Sequence, residues 1–332
     1  MSSSLFESSS FTDVLRLLSD GQFHSGEELG ELLGVSRAAV WKTLQKFGQI
    51  GIDVVSVKGK GYCIQGGLDL LDESTIQAEH QGSLSIKVFP QVDSTNSYLL
   101  RKELPERQVC LAESQTAGRG RRGRKWISPF AQNLYVSIGW GFEGGVAALE
   151  GLSLAIGLAV IRCLHHQGLT GLSLKWPNDI LYQDKKLGGI LIEMRGDPAG
   201  YCLSVIGVGL NVSMSTNYSA AIGQPWISLN DIFADQAVPP IGRNQLASSL
   251  LAEMELVLSG YHLKGFSAYK DEWMSVASYL NQKVYIHSGN NAQAGIFRGV
   301  DNTGALVLAI EGVEQVFHGG EVSLRRPDAS GS

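Results

Sequence analysis

The stretch Gly118-Arg119-Gly120-Arg121-Arg122-Gly123-Arg124-Lys125-Trp126 holds five cationic side chains and three glycines within nine residues. Nothing about packing a hydrophobic core requires such a loop. Glycines let backbone N–H groups approach a ligand closely, and arginine forks fit carboxylate and phosphate oxygens two at a time. A solvated basic loop and a nucleic-acid patch are the alternatives for an isolated arginine-glycine run. The sequence on either side of the loop is needed to decide among them.

The composition of the chain is that of a globular protein. Its 332 residues are 44% hydrophobic and 18% charged, which is enough for two or three domains with their own cores. The formal net charge is −5, so contact with nucleic acid would depend on local clusters of cations. The four cysteines are isolated in sequence, which favours reduced, buried thiols in the cytosol. The start lacks a signal-peptide pattern, and the longest apolar run, from Leu152 to Ile161, is too short for a membrane span. We therefore expect a cytoplasmic protein with no membrane partner.

The first 66 residues predict a small DNA-binding module. Apolar residues at helical spacing predict one helix, the capping box Ser25-Gly26-Glu27-Glu28 opens a second, and Ser36 caps a third. Two strand-like runs then flank Lys58-Gly59-Lys60, a hairpin with a basic tip. Helix, turn, helix and wing in this order predict a winged helix-turn-helix domain.

Positive charge is concentrated on one part of this module. Between Val35 and Tyr62 there are five cations and a single acid, Asp53, which gives a local charge of +4. A helical hairpin that never touches DNA is the alternative. If the module binds DNA, two copies on two half-sites are expected, because each phosphate contact contributes modestly. The expected DNA contacts are the polar and basic side chains of the third helix and the wing: Ser36, Arg37, Lys42, Gln45, Lys58 and Lys60.

Strand and helix patterns are mixed from Leu84 to Ser213, which predicts an α/β domain built on a sheet. The expected strands are 84–89, 108–113, 133–140, 172–176, 190–194 and 201–208, and the expected helices are 94–101 and 148–167. Residues 66–67 and 69–73 are interpreted as the linker that precedes this domain.

Three further motifs lie next to strands of this domain. Asp93-Ser94-Thr95-Asn96 starts a helix, where hydroxyls, an amide and free backbone N–H groups can point at one ligand. Lys175-Trp176-Pro177-Asn178-Asp179 ends a strand with a cation and an amide, and Lys186 precedes a pair of glycines. Simple helix capping and a solvated hairpin tip are the alternatives for the first and the last of these. Together with the arginine-glycine loop, the motifs indicate an acid substrate and a phosphate-bearing co-substrate.

The last third of the chain predicts helices over about 244–258 and 263–276, followed by short strands at short intervals between residues 284 and 324. Such a run of strands suggests a small, partly closed barrel. We therefore expect an α+β multidomain protein with three domains: a winged helix-turn-helix domain at 1–66, a catalytic domain at 67–275 and a barrel at 276–326.

The four motifs, taken together, resemble the successive motifs of biotin-protein ligases. The N-terminal module, with His24-Ser25-Gly26-Glu27 and Ser36-Arg37-Ala38-Ala39, resembles that of the bifunctional subgroup that is also the biotin operon repressor. The resemblance runs from about Phe11 to Arg325. It implies a central mixed sheet like that of class II synthetases and an SH3-like β-barrel at the C-terminus.

The resemblance implies a two-step reaction. The carboxylate of biotin attacks the α-phosphorus of ATP, with Mg²⁺, to give biotinyl-5′-AMP and pyrophosphate. A lysine of the biotin carboxyl carrier protein of acetyl-CoA carboxylase then attacks the mixed anhydride. The resemblance also implies that the adenylate-bound chain forms a homodimer on operator DNA, with biotinyl-5′-AMP as corepressor. No metal ligands are assigned from the sequence.

The resemblance also implies site residues. Biotin would be bound by Ser94, Thr95, Asn96, Gln115, Arg119, Gly120, Arg121, Lys186, Gly189 and Gly207. ATP and the adenylate would be bound by Arg121, Arg124, Trp126, Lys175, Asn178 and Asn211, with Trp126 stacked on adenine. The catalytic residues would be Lys186, Arg119 and Arg121, which stabilise the developing charge, Lys186 most directly.

Other functions stay open at this stage. A biotin-sensing repressor with a silent catalytic domain would keep the fold, although the cationic residues of the loop argue against it. A lipoate or octanoate transferase shares the fold class, but its ligand has no ureido head for the polar set at Ser94, Thr95 and Gln115. An RNA-binding protein would need aromatic stacking platforms beyond Trp126.

Overall fold

The N-terminal module has the predicted architecture of three helices and a two-stranded wing. The computed structural model describes residue 6 and residues 9–103, 106–288, 291–318 and 322–325. In the second helix, Ser25 accepts a hydrogen bond from the Glu28 N–H, and the Glu28 carboxylate accepts one from the Ser25 N–H. The third helix ends earlier than Phe47, which belongs to a separate turn of 3₁₀ helix and is fully buried. The elements are α1 (Ser9–Leu18), α2 (Gly26–Leu33), α3 (Arg37–Leu44), β1 (Val55–Val57) and β2 (Gly61–Cys63).

The segment interpreted as a linker leads directly into a helix that the sequence analysis did not predict. Helix α4 (Glu73–His80) begins after Asp72, whose carboxylate accepts a hydrogen bond from the Thr75 N–H at 2.8 Å. The helix was missed because its apolar face is short, with Ile76 as its one fully buried apolar side chain. The connection between the first two domains is therefore short and structured from Asp72 onwards.

The central domain is built on a mixed sheet, as predicted, and the sheet has seven strands where six were expected. Its strands lie in the order β3-β4-β5-β9-β8-β7-β6, with β3 and β4 parallel and every other neighbouring pair antiparallel. The strand β7 was not predicted, because only four residues separate the Pro177 turn from the next hairpin. The strands are β3 (Ser85–Phe89), β4 (Gln108–Ala112), β5 (Asn133–Phe142), β6 (Leu172–Lys175), β7 (Asp179–Tyr182), β8 (Lys185–Gly196) and β9 (Cys202–Asn211).

Two helices of this domain are interrupted where the sequence analysis expected them to continue. The predicted helix over 148–167 begins only at Leu152, because Gly151 has φ +71° and separates it from a 3₁₀ turn. The predicted helix over 263–276 is likewise wrong at its start, since Gly265, with φ +58°, ends the long helix before it. The helices are α5 (Thr95–Leu100), α6 (Leu152–His166), α7 (Ser219–Ile222), α8 (Leu229–Asp235), α9 (Arg243–Lys264) and α10 (Lys270–Ser275).

Helix α6 fills the centre of the hydrophobic core. Eleven of its fifteen residues are buried, which accounts for its nearly continuous apolar sequence. Among the described residues, the helical stretch Gly145–His166 is the one whose length and composition would allow a membrane span, and more than half of it is buried inside the fold. A buried core helix meets the same criteria of length and composition.

The C-terminal domain is a five-stranded antiparallel sheet in the order β13-β12-β11-β10-β14. Its core is continuous with that of the central domain. The indole N–H of Trp176 donates to the Gly304 carbonyl at 3.0 Å and so ties the central domain to this sheet. Residues 289–290, 319–321 and 326 of the predicted barrel lie outside the described ranges. The strands are β10 (Lys283–Ser288), β11 (Asn291–Val300), β12 (Leu306–Ile310), β13 (Val313–Phe317) and β14 (Val322–Arg325).

A buried ion pair joins the linker to the central domain. The Arg243 guanidinium, 2% exposed, lies 2.8 Å from the Glu113 carboxylate and donates to the backbone carbonyls of Asp69 and Asn133 at 2.6 and 2.8 Å. The other Glu113 oxygen accepts from the Leu71 N–H at 2.6 Å. Both charges are therefore compensated by each other and by backbone groups, as buried charges must be.

Removing one half of this pair tests its contribution. We expect Arg243→Met to lower the free energy of unfolding by about 3 to 5 kcal/mol, because Glu113 would stay buried without its counter-charge. The Arg243→Met, Glu113→Gln double variant keeps an acceptor for the Leu71 N–H and no isolated charge, so it should recover part of the loss. Urea unfolding followed by circular dichroism measures both variants. A single variant as stable as the wild type would contradict this account.

Candidate functional site

The four motifs surround one cavity of about 910 Å³ in the central domain. Every residue predicted to bind biotin or the nucleotide lines this cavity, although the strands and loops that carry them are spread from residue 94 to residue 211. The C-terminal domain contributes Tyr279 and Leu324 to the wall, and the segment 221–226 contributes a further part of the rim. Tyr279 and Leu324 were not predicted as lining residues, because neither belongs to a charged or glycine-rich pattern.

One end of the cavity is lined by buried neutral polar groups. Ser94 caps helix α5, and Thr95 and Asn96 in the first turn are 5% and 3% exposed. The Thr95 N–H donates to Gln115 Oε1 at 2.9 Å, and Gln115 Nε2 donates to Ser128 Oγ at 3.0 Å. Gln115 is therefore fixed in orientation by two partners. This end suits a neutral head group with both donors and acceptors.

The arginine-glycine loop forms a closed turn over the cavity. The Gly120 N–H donates to the Arg124 carbonyl at 2.7 Å, and the Trp126 N–H donates to the Gly118 carbonyl at 2.9 Å. At the tip, Gly123 has φ +71°, a conformation that glycine adopts at low cost. The glycines therefore close the loop through its backbone while leaving its arginine side chains on the surface of the turn.

The arginines of the loop are held in different ways. Arg119 Nη2 lies 3.0 Å from Glu193 Oε1 and also donates to Ser97 Oγ at 2.8 Å. Arg121 Nη1 donates to Asn178 Oδ1 at 3.3 Å. Burial lowers the pKa of the Arg121 guanidinium and nearby Asp179 partly offsets that effect. In this conformation Arg119 is paired with a carboxylate, whereas Arg121 extends over the cavity towards Lys175 and Lys186.

Asp179 joins the two lysines of the cavity and was not predicted as a site residue. Its carboxylate lies 2.6 Å from Lys186 Nζ and 2.8 Å from Lys175 Nζ. Burial alone raises the pKa of Asp179, but the two ammonium groups more than offset it and lower that pKa to about 2. Two like charges are thus held side by side at the cavity wall. The position of Asp179 at the end of the Lys-Trp-Pro-Asn-Asp motif was the available sequence signal.

Trp126 lies against two glycines on the floor of the cavity. A Cβ atom on Gly209 would come within 2.7 Å of the indole ring, and one on Gly189 would come within 3.5 Å. Lys186 Nζ lies 5.4 Å from the ring centroid. The indole N–H is buried and has no hydrogen-bond partner among the described residues. Stacking of Trp126 on adenine remains a prediction.

The two asparagines predicted for the nucleotide side hold backbone segments in place. Asn178 Nδ2 donates to the Ile190 carbonyl at 2.9 Å. Asn211 Nδ2 donates to the carbonyls of Lys186 and Ile227 at 3.3 and 3.2 Å. Both amides therefore position the strand that carries Lys186, the predicted catalytic lysine. Direct contact of either one with a nucleotide remains a prediction.

The predicted DNA-contacting side chains lie on the winged module, away from the cavity. Ser36 acts as the N-cap of α3, where its hydroxyl accepts from the Ala39 N–H at 3.2 Å. Arg37 lies 3.6 Å from the Glu27 carboxylate, in an exposed pair that contributes little stability. The side chains exposed on α3 and the wing tip are Arg37, Lys42, Gln45, Lys58 and Lys60, together with Trp41, which the sequence analysis did not include among the DNA contacts.

Three family models match the chain in the order of its domains. The model described as "HTH domain" matches residues 12–63. The model described as "Biotin/lipoate A/B protein ligase family" matches residues 88–211, and the one described as "Biotin protein ligase C terminal domain" matches residues 279–325. These ranges fall within the three predicted domains, whose boundaries remain predictions.

Similar proteins cover nearly the whole chain. The "Bifunctional ligase/repressor BirA" of Escherichia coli is 41% identical over 314 residues, which span 94% of this chain and 96% of that protein. The protein of the same name from Bacillus subtilis is 29% identical over 315 residues, or 92% of this chain and 96% of that protein. A solved structure of the biotin protein ligase from Aquifex aeolicus in complex with biotin and ATP matches with a TM-score of 0.63 and 29% identity, covering 73% of this chain and 99% of that one.

The charge on Asp179 makes a defined contribution to stability against acid. Its pKa in the folded protein, about 2, lies below its ordinary value of 3.8. The contribution is therefore present above pH 4 and is lost as the pH falls towards 2, and its size is about 2 kcal/mol. We expect the wild type to lose more stability than Asp179→Asn between pH 4 and pH 2. Urea midpoints measured across this pH range would show parallel losses if the account is wrong.

Proposed function

This chain belongs to the family of biotin-protein ligases that are also repressors, and we propose how its residues carry out both activities. The observation that carries the proposal is the layout of the cavity. A neutral polar end around Thr95 and Gln115 is continuous with a cationic end formed by Arg121, Lys175 and Lys186. Such a layout fits a substrate with a neutral polar head and an anionic tail, next to a phosphate-bearing co-substrate.

The first step joins two anions. A carboxylate oxygen of biotin attacks the α-phosphorus of ATP, the bond from that phosphorus to the bridging oxygen breaks, and pyrophosphate leaves. The attack is slow unless the charge of both reactants is neutralised, and fixed cations do this without reorganising during the reaction. Lys186 is the residue best placed for this role, because Asp179 and the wall of the cavity hold its ammonium group. Arg121 supplies a second cation from the loop above.

Mg²⁺ would enter with the phosphates of ATP. It binds oxygen ligands and usually takes only one or two protein carboxylates. Among the described residues, Asp179 and Asp184 are the carboxylates that line the cavity, so they are the residues that would face the ion. The bound ion supplies further positive charge at the phosphates.

The product, biotinyl-5′-AMP, is an activated anhydride that water would hydrolyse. The closed arginine-glycine loop on one side and the segment 221–226 on the other narrow the entrance to the cavity. Exclusion of water by these loops would preserve the intermediate until the acceptor arrives. In the second step a lysine amine of the biotin carboxyl carrier protein of acetyl-CoA carboxylase attacks the acyl carbon, and AMP leaves.

Repression would use the winged module. Exposed cations on α3 and the wing fit the phosphates on either side of a major groove that receives α3. Two modules in a homodimer would meet two half-sites of the operator of the biotin biosynthesis genes. Biotinyl-5′-AMP acts as corepressor if it binds the dimer-competent state more tightly than the other state, as reciprocal linkage requires. Both activities place the protein in the cytoplasm.

The ligase activity is tested by a pair of neighbouring lysines. We expect Lys186→Ala to reduce the rate of adenylate formation by about 100- to 1000-fold, because it removes a fixed charge at the reacting centre. Lys185→Ala is the matched control, since Lys185 is exposed on the adjacent position of the strand, and it should keep the rate within about threefold. Pyrophosphate release and transfer of biotin to the carrier protein are the two measurements.

Lipoate in place of biotin completes this test. The wild type should label the carrier with biotin and not with lipoate, because lipoate has no ureido group for the polar end of the cavity. Binding of biotin without any labelling would indicate a biotin-sensing repressor that lacks the enzymatic activity. Labelling with lipoate would indicate a lipoate transferase instead.

The role of the wing in DNA binding is tested by salt dependence. Lys58→Gln with Lys60→Gln should flatten the plot of log affinity against log salt by about 0.9 for each phosphate that is no longer neutralised. Lys264→Gln with Lys283→Gln removes the same charge from exposed sites outside the winged module and should leave the slope unchanged. The probe is the control region of the biotin biosynthesis operon from the same genome, with biotin and ATP present. Equal slopes in all three proteins would exclude the wing from the DNA interface.

A further inference from the structure

Glu193 lies behind the neutral end of the cavity and has no role in the chemistry described so far. It projects from strand β8, with its side chain 26% exposed. Arg119 Nη2 lies 3.0 Å from Glu193 Oε1 and donates to Oε2 at 3.1 Å, and Oε2 also accepts a hydrogen bond from Asn96 Nδ2 at 2.9 Å. An acidic side chain so close to a site for two anions needs a reason, because it opposes the binding of negative charge.

The carboxylate fixes the orientation of the Asn96 amide. Asn96 Nδ2 donates both to Glu193 Oε2 and to the Leu191 carbonyl, the latter at 3.2 Å. Both partners are acceptors only, so a flipped amide would place its oxygen against two other oxygens. Asn96 Oδ1 is therefore held facing the other way. Gly207 provides the room, since a Cβ atom there would lie 2.2 Å from this oxygen.

The fixed Asn96 oxygen sets the direction of the next two hydrogen bonds. Ser137 Oγ, fully buried in β5, lies 2.6 Å from Asn96 Oδ1 and 2.7 Å from Thr95 Oγ1. Ser137 has one hydroxyl proton, and Asn96 Oδ1 can only accept, so that proton goes to Asn96. The 2.7 Å contact between Ser137 and Thr95 then requires the Thr95 hydroxyl as donor, in preference to its longer contact of 3.3 Å with Gln115 Oε1. The proton of Thr95 thus points into the sheet and away from the cavity.

We propose that Glu193 is a positioning residue that acts through Asn96 and Ser137 to make the Thr95 hydroxyl a hydrogen-bond acceptor towards the cavity. The ligand it selects is one whose head group donates an N–H to Thr95. Gln115 complements this preference, because its Nε2 carries two N–H groups and only one is needed by Ser128. A cyclic urea, which offers N–H donors beside a carbonyl acceptor, matches both. The inference rests on the proposed function, in which the ureido ring of biotin occupies this end.

The pair with Arg119 is a separate effect of the same carboxylate. By pairing with Arg119, which also donates to Ser97 Oγ, Glu193 fastens one end of the arginine-glycine loop. Orientation of the Thr95 hydroxyl and fastening of the loop can be told apart, since only the first depends on the presence of Thr95. Their separation requires a double-mutant cycle, in which residues that act through one another give non-additive losses.

The experiment measures the dissociation constant of biotin by calorimetry in the full chain. Glu193→Met, which removes both acceptor oxygens at similar side-chain length, should weaken biotin binding by about 10- to 100-fold, the range for loss of a hydrogen bond to a charged group. In the Thr95→Val background, where the acceptor is already absent, the same substitution should weaken binding by less than about threefold. Ser137→Ala breaks the chain of hydrogen bonds from Glu193 to Thr95 and leaves the ion pair with Arg119 in place. Its effect on biotin binding should likewise be lost in the Thr95→Val background. This small, buried change also serves if Glu193→Met proves unstable in a thermal melt.

Arg119→Gln is the matched control, because it removes the ion pair and leaves the contact between Glu193 and Asn96. Its effect on biotin binding should be equal in the Thr95 and Thr95→Val backgrounds. The proposal is overturned if Glu193→Met has the same effect in both backgrounds, or if neither Glu193→Met nor Ser137→Ala weakens biotin binding. A wild-type chain that fails to bind biotin would instead overturn the proposed function, and the two failures are thereby distinguished.

Discussion

The structure of the catalytic domain depends on one electrostatic constraint, which is that a carboxylate and a triphosphate must approach to bonding distance. Each repels the other, so the cavity must carry a surplus of fixed positive charge. Cationic side chains placed together without an acid would repel one another and turn outwards into solvent. Asp179 resolves this conflict, because one buried carboxylate holds Lys175 and Lys186 within 2.8 Å and still leaves a net positive charge. Asp179 reduces the net positive charge of the site but fixes the positions of the two ammonium groups.

The other domains are attached to this centre through buried polar contacts at its periphery. Trp176, next to Lys175 in the same motif, is bonded to Gly304 of the C-terminal sheet. Glu113, two residues before Gln115, is paired with Arg243, which also binds the linker at Asp69. In both cases the attachment lies within two residues of a side chain that lines the cavity. The attachment points of both flanking domains therefore lie next to the site.

The fold could be predicted from the sequence where the determining interactions are local. Capping at Ser25 and Ser36 involves groups within a few residues, so the starts of the two helices that they cap were predicted correctly. One core helix was extended too far, since the positive φ of Gly151 depends on tertiary structure that a glycine permits but does not require. The partners of the motif residues could not be predicted at all. Arg119 and Glu193 are 74 residues apart, and the pattern of β8 marks Glu193 only as an isolated acid on an apolar strand.

The glycines of the central strands also show how little of the site can be predicted from the sequence. In a strand pattern, Gly189, Gly207 and Gly209 look like weaknesses, because glycine loses more entropy on folding than any other residue. In the folded chain they form the floor of the cavity, where Asn96 and Trp126 lie close against the backbone, closer at Gly207 and Gly209 than a Cβ atom would allow. These glycines make the strands less stable, but the absence of a side chain leaves room at the floor of the cavity. A glycine that looks destabilising in the sequence therefore shows its function only in the folded structure, where the side chains that pack against it are in place.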